Sequence, residues 1–285
     1  MTSYVIYDVF TNVHFGGNPL AVIPDAGALR EEDLQRIARE FNLSETAFVF
    51  PPDAPGADAK VRIFTPKQEL PFAGHPTIGT AIALYNLGRV PAEMTLALKV
   101  GPIPVSVDGG KARFVTRVPL ETWEMPLDVV AASAGLSADA IRTDRHAPVI
   151  ASVGMTFAIA ELRDPETLAA ARPQTDAFRA FEPNWPTDTH YDLLLYVRDG
   201  NSLRARMFAP LDGIPEDPAT GSAAAALAAY LGNLTGQSLD LIVEQGIEMG
   251  RPSRIEARVE VRDGRPVSVG IAGEAVQIMA GQLTL

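Results

Sequence analysis

Apolar and polar positions alternate in short runs along much of this chain, and each run is closed by Gly, Pro or Asn. Two-residue periodicity of that kind predicts half-buried strands. It covers Tyr4–Phe10, Leu20–Ile23, Ala47–Phe50, Lys60–Thr65, Thr95–Val100, Val105–Asp108 and Ala112–Arg117 in the first half. The second half carries Val149–Val153, Thr156–Ala160, Leu193–Val197, Leu203–Ala209, Leu241–Val243 and Ile255–Val261. Helical periodicity marks two surface helices, Arg30–Phe41 and, more weakly, Pro126–Ala134. Two further stretches, about Thr77–Leu87 and Thr220–Leu231, are apolar on every side. A helix with no polar face is a buried helix.

The two apolar helices belong to a repeat. RIFTPKQELPFAGHPTIGTAIALYNLG (Arg62 to Gly88) resembles RMFAPLDGIPEDPATGSAAAALAAYLG (Arg206 to Gly232). Arg62, Phe64 and Pro66 match Arg206, Phe208 and Pro210 at a shift of 144. After a two-residue adjustment, Pro76, Gly79, Thr80 and Ala81 match Pro218, Gly221, Ser222 and Ala223 at 142. The shift is about half the chain, so the pattern reads as an internal duplication. The fold expected is mixed α/β, with two pseudo-symmetric halves, each a curved sheet or barrel around its own central helix. The halves are expected at 1–118 and 119–285, with a last strand, 276–285, packing back on the first. No flexible linker joins them, so tight packing of the halves is expected.

Composition narrows the function. The chain has 285 residues, 47% hydrophobic and 21% charged, which suits a globular protein with a sizeable core. Its formal charge of −11 argues against nucleic acid as a partner. No apolar run reaches the roughly 18 to 20 residues of a membrane span. The N-terminus lacks the features of a secretory signal, so a cytoplasmic location is expected. There is no cysteine, which excludes disulfides, thiolate-held metals and a thiol acid or base. The four histidines lack metal-ligand spacing, so no metal is expected.

Candidate chemistry gathers at the two loop-to-helix junctions. Unpaired N–H groups and the helix dipole let a helix start hold an anion such as a substrate carboxylate. In the alignment above, His75 of the first copy stands opposite Asp217 of the second. A conserved loop with diverged polar side chains suits one asymmetric substrate shared by two halves, against the simpler reading of a loop histidine and an N-cap aspartate. Glu45, in NLSETAFVF, sits between a polar turn and an apolar strand. Burial near His75 would raise its pKa and suit it to take and return a proton. The alternative there is a solvated loop carboxylate. Ser222 lacks the elbow pattern of a nucleophile, and its hydroxyl or N–H is a substrate contact or a cap.

With these residues in place, the chain resembles the PhzF-like family of phenazine biosynthesis, whose fold is shared with diaminopimelate epimerase and proline racemase. The resemblance runs nearly end to end, through DVFTNVHFGGNPLAVI, NLSETAFV, RIFTPKQELPFAGHPTIGTA, EDPATGSAAAALAAYL and EQGIEMGRPSRI. It implies a cofactor-independent isomerase acting on a small carboxylated substrate in a cleft between the halves, and a homodimer. It implies Glu45 as the catalytic acid/base, with His75 and Asp217 orienting the substrate and relaying a proton. Asn18, Ser44, Gly74, Gly221 and Ser222 are implied as substrate contacts. The related epimerases work with a cysteine pair, which this chain cannot do, and that leaves proton transfer by one carboxylate. A lyase or dehydratase using the same cleft, or a binding protein without turnover, are the alternatives.

Overall fold

A computed structural model describes residues 1–284. The fold is mixed α/β, and it divides into two compact units, Met1–Val115 with the C-terminal residues from Ile271, and Thr116–Gly270. The first division falls three residues before 118, and the C-terminal return begins at Ile271 rather than at 276.

The first unit contains β1 (Thr2–Val9), β2 (Asn18–Ile23), α1 (Glu31–Phe41), β3 (Glu45–Phe50), β4 (Ala59–Phe64), β5 (Glu69–Leu70), α2 (Gly74–Asn86), β6 (Glu93–Leu98), β7 (Gly101–Asp108) and β8 (Lys111–Thr116). Antiparallel β1–β2 leads through α1 to β3, which lies parallel to β2. Antiparallel β3–β4 and β4–β5 follow, then α2, then β6 parallel to β4, and the β6–β7–β8 meander. α2 packs against β1, β2, β3, β6 and β7. It is buried from Gly74 to Leu84, as its lack of a polar face requires.

The second unit opens with β9 (Glu121–Glu124) and α3 (Leu127–Ala134), followed by β10 (Val149–Ser152) and β11 (Thr156–Glu161). Next come α4 (Pro165–Ala170), α5 (Thr175–Phe181), β12 (Leu193–Asp199), β13 (Ser202–Ala209), β14 (Ile214–Asp217), α6 (Gly221–Thr235), β15 (Leu239–Gln245), β16 (Ser253–Arg262) and the start of β17 (Arg265–Leu283), which belongs to the first unit from Ile271 on. The pairing sequence repeats that of the first unit: β10–β11 antiparallel, β11–β12 parallel across helices, β12–β13 and β13–β14 antiparallel, then α6, β13–β15 parallel and β15–β16 antiparallel. α6 packs on β10, β11, β15 and β16. The distal part of β17 pairs antiparallel with β1, from Thr2↔Leu283 to Val9↔Ala275. The duplication read from one motif is therefore a duplication of strand order and strand direction.

Side chains repeat as well. Arg62 lies 5.1 Å over the ring of Phe64, and Arg206 lies 4.9 Å over Phe208. Each arginine grips a glutamate two-fold: Arg62 with Glu69 at 2.8 and 3.0 Å, Arg206 with Glu216 at 2.8 and 2.7 Å. Glu69 and Glu216 differ by 147, not 144, so the second copy holds three more residues between its arginine and its glutamate.

That register corrects one expectation. The central helices start at Gly74 and Gly221, again 147 apart. By helix position the counterpart of His75 is therefore Ser222, and Asp217 ends a strand before the N-cap residue Thr220. Sequence matching aligned His75 with Asp217 because Pro76 and Pro218 coincide, although one proline lies in a helix and the other precedes one. The first helix also begins earlier than Thr77. Pro76 sits in its first turn, where a missing N–H costs nothing. The second runs past Leu231 because Gly232 is a packing residue, whose added Cβ would meet Val259 at 2.9 Å.

Candidate active site

Three of the implied site residues converge in the first unit. Asn18 opens β2 and Glu45 opens β3, and these strands are parallel neighbours with Leu20 beside Glu45. Both residues therefore lie at the same end of the sheet. Asp8 fixes the approach to Asn18, accepting a 2.7 Å hydrogen bond from the Phe15 N–H in the preceding turn. α1 stops at Asn42, which takes a left-handed conformation (φ 51°), and the chain passes through half-buried Ser44 into Glu45. His75, the second residue of α2, is brought to the same place by its helix.

Asn18 is fully buried and His75 is 4% exposed. The Asn18 Nδ2 group lies 3.3 Å from His75 Nδ1, and His75 Nε2 lies 3.4 Å from Glu45 Oε2. Burial pushes the His75 pKa down to about 3, so the ring is neutral in the working range of an enzyme. The amide N–H of Asn18 donates to Nδ1, and a neutral ring must then carry its proton on Nε2. His75 thus presents an N–H toward the Glu45 carboxylate. Because the ring is neutral, the contact is not an ion pair.

The same shift links His75 to stability. The unfolded chain protonates this imidazole below about pH 6.5, whereas the folded protein resists until about pH 3. Its contribution is whole above pH 6.5 and is lost as the pH falls toward 3, at up to about 1.4 kcal/mol per pH unit. Denaturant unfolding of wild type and His75→Gln between pH 4 and 6 should show the wild-type stability falling more steeply by about that slope. Parallel curves would show that His75 is not held neutral.

In the second unit Asp217 ends β14 and is 6% exposed. The Thr220 hydroxyl donates to Asp217 Oδ2 at 2.5 Å. Gln245, 1% exposed at the end of β15, ties the segment together. Its Nε2 donates to the Asp217 carbonyl at 2.7 Å and to Thr220 Oγ1 at 3.0 Å, and its Oε1 accepts from the Thr220 N–H at 3.3 Å. Gly246, at φ +74°, lets two strands of backbone pass closely, since a Cβ there would lie 2.7 Å from Pro218 O. Gly221 is buried as the first residue of α6, and half-buried Ser222 follows it.

Neither central helix has a side-chain cap on its first-turn N–H groups. The Thr220 hydroxyl, the natural cap for α6, is turned to Asp217 instead. The implied residues therefore form two clusters, one per unit: Asn18, Glu45, His75 and Gly74; and Asp217, Gly221 and Ser222. Sequence reasoning missed Thr220 and Gln245. The EQG of EQGIEMGRPSRI was quoted only for resemblance, although a Gln before a Gly at a strand end signals a tight, polar crossing. Among the described residues, no three His, Asp or Glu side chains are grouped to hold a metal ion, and no helix is long and apolar enough to cross a membrane.

Comparison with known proteins agrees with this architecture. The family model described as phenazine biosynthesis-like protein matches residues 7–281. The trans-2,3-dihydro-3-hydroxyanthranilate isomerase of Pseudomonas aeruginosa is 36% identical, over 100% of both chains. An uncharacterized isomerase of Mesorhizobium japonicum is also 36% identical, over 99% of this chain and 98% of its own. The crystal structure of the Bacillus anthracis PhzF-family protein superposes with a TM-score of 0.88 at 27% identity, covering 100% of this chain and 99% of that one. A match across almost the whole chain, to a family model, to isomerases and to a solved PhzF structure, places the chain in the PhzF family of isomerases.

Proposed function

We propose that this protein moves a proton between carbons of a small carboxylated molecule, with Glu45 as the single acid/base and no cofactor. The observation that carries the proposal is the Glu45–His75 contact. A histidine with a pKa of about 3 cannot store a proton near neutral pH, so the shuttle falls to the carboxylate beside it. His75, its tautomer fixed by Asn18, orients that carboxylate and offers an N–H to charge as it develops. Glu45 removes a carbon-bound proton, the electron pair spreads into the substrate's π system, and Glu45 returns the proton to another carbon of that system. The uncapped N–H groups at Gly74 and Gly221 suit a substrate carboxylate and an enolate-like intermediate. Asp217, Ser44 and Ser222 are proposed as polar contacts to the substrate.

The isomerase relatives make trans-2,3-dihydro-3-hydroxyanthranilate the first substrate to test. Turnover in deuterated water, followed by mass spectrometry, should give a rearranged product of unchanged formula, with deuterium at the carbon that receives the proton. A product lacking the elements of water would replace this reading with a dehydratase. Binding with neither turnover nor exchange would make the protein a binder. The resemblance also supports a cytoplasmic homodimer, and light scattering should give the mass of two chains.

A further inference from the structure

The repeat gives Glu45 a counterpart that sequence matching does not reveal, because no identity survives around it. In the first unit Thr46 pairs with Phe64, and in the second Leu193 pairs with Phe208. Phe64 and Phe208 are fixed as equivalents by the arginine stacked on each. Thr46 therefore corresponds to Leu193, and the residue before each is acidic: Glu45 and Asp192. The parallel neighbours agree, with Ala21 beside Thr46 and Ala158 beside Leu193.

Asp192 is 7% exposed, and its Oδ1 has no hydrogen-bond partner among the described residues. A buried carboxylate normally collects N–H donors, since leaving one unpaired away from water is unfavourable. The charged groups it senses are all acidic: Asp212 in the turn after β13, Asp217 at the end of β14 and Glu182 after α5. The nearby His190 is spent on Glu182 at 2.5 Å and on Asp212 at 3.9 Å. Burial first, then these three carboxylates, raise the Asp192 pKa well above the ordinary range. At Oδ1, Asp192 keeps hydrogen-bonding capacity that no described residue uses.

We propose that Asp192 is a further substrate-contacting residue, the second unit's counterpart of Glu45, and that it donates a hydrogen bond to an oxygen of the substrate. The two equivalent carboxyl groups then have opposite tasks. Glu45, facing the N–H of His75, works as a base, while Asp192, among acids, works as a donor. Such a donor favours substrates with a hydroxyl, carbonyl or carboxylate oxygen beside the group held by Asp217. The inference rests on the isomerase reading above.

The probe is 3-hydroxyanthranilate, the aromatic analogue of the proposed substrate. Protein carrying 13C at its aspartate carboxyl carbons should show a protonated carboxyl resonance at neutral pH that is missing in Asp192→Asn. Adding the probe should move that resonance. Asp192→Ala should weaken probe binding by about tenfold to a hundredfold, and Asp192→Asn, which keeps a donor, should restore most of it. A wild-type resonance that is ionised, or that the probe leaves in place, overturns the proposal, as does unchanged affinity in a folded Asp192→Ala protein. The resonance decides the matter even if Asp192→Ala does not fold. Failure of the wild type to bind the probe and to turn over the dihydro compound overturns the isomerase reading and this proposal together.

Discussion

Replacing Glu45 by Gln should lower kcat by about a hundredfold to ten-thousandfold while leaving ligand affinity within a few-fold. The amide has nearly the size and polarity of the acid, so β3 should keep its pairing, Glu45 beside Leu20 and Thr46 beside Phe64. What it lacks is the ability to take a proton. His75 cannot replace it, because an imidazole with a pKa of about 3 is no base at pH 7. The chain has no cysteine that could serve instead. Deuterium exchange into the substrate should fall with kcat, since both need the same abstraction. A Glu45→Gln protein that still exchanges at the wild-type rate would move the acid/base role to another residue.

Much of this was legible in the sequence because it rests on local signals. The buried central helices announced themselves by lacking polar residues, and the duplication by RIFTP and RMFAP. Other elements were hidden for physical reasons. Pro102 and Pro104 fall between the runs Thr95–Val100 and Val105–Asp108, yet both lie in β7, paired with β6 at Ala97 and Thr95. The β7–β8 pairing begins only at Val105, so these prolines face an unpaired side, where a missing N–H costs nothing. α4 carried a readable start, Asp164 capping the Thr167 N–H ahead of Pro165, but six residues show too little periodicity. Glycines at 270, 273 and 281 interrupt the alternation of β17.

The site divides in the same way. Glu45, His75 and Asn18 could be named from motifs, but their contact depends on a parallel pairing that no local pattern encodes. The equivalence of His75 with Ser222, and of Glu45 with Asp192, appears only when strand register and helix starts replace residue identity. Duplicated halves under different chemical demands keep backbone positions longer than side chains. The arginine–glutamate pairs survived in both because they hold β4 to β5 and β13 to β14, just ahead of the functional loops.

Those two pairs should differ sharply in energetic weight, although they are equivalent by descent. Arg206→Met should cost about 3 to 5 kcal/mol in denaturant unfolding, and Arg62→Met about 1 kcal/mol or less. The Arg206 side chain is 4% exposed and its partner Glu216 is 15% exposed. Besides its two-fold grip on Glu216, Arg206 Nη1 donates to the carbonyls of Leu168, Ala169 and Ala171 at 3.0, 3.3 and 2.7 Å. Removing it strands a largely buried carboxylate and the carbonyls that end α4. Arg62 is 21% exposed, and one of its two partners, Glu31, is 76% exposed, so water can replace what methionine cannot supply. Because Glu216 immediately precedes Asp217, Arg206→Met should also lower kcat/KM under conditions where the protein remains folded, whereas Arg62→Met acts on the more solvated pair. Equal destabilisation by the two variants would show that burial does not set the value of these pairs. A destabilised Arg206→Met protein with unchanged kcat/KM would detach Asp217 from the substrate.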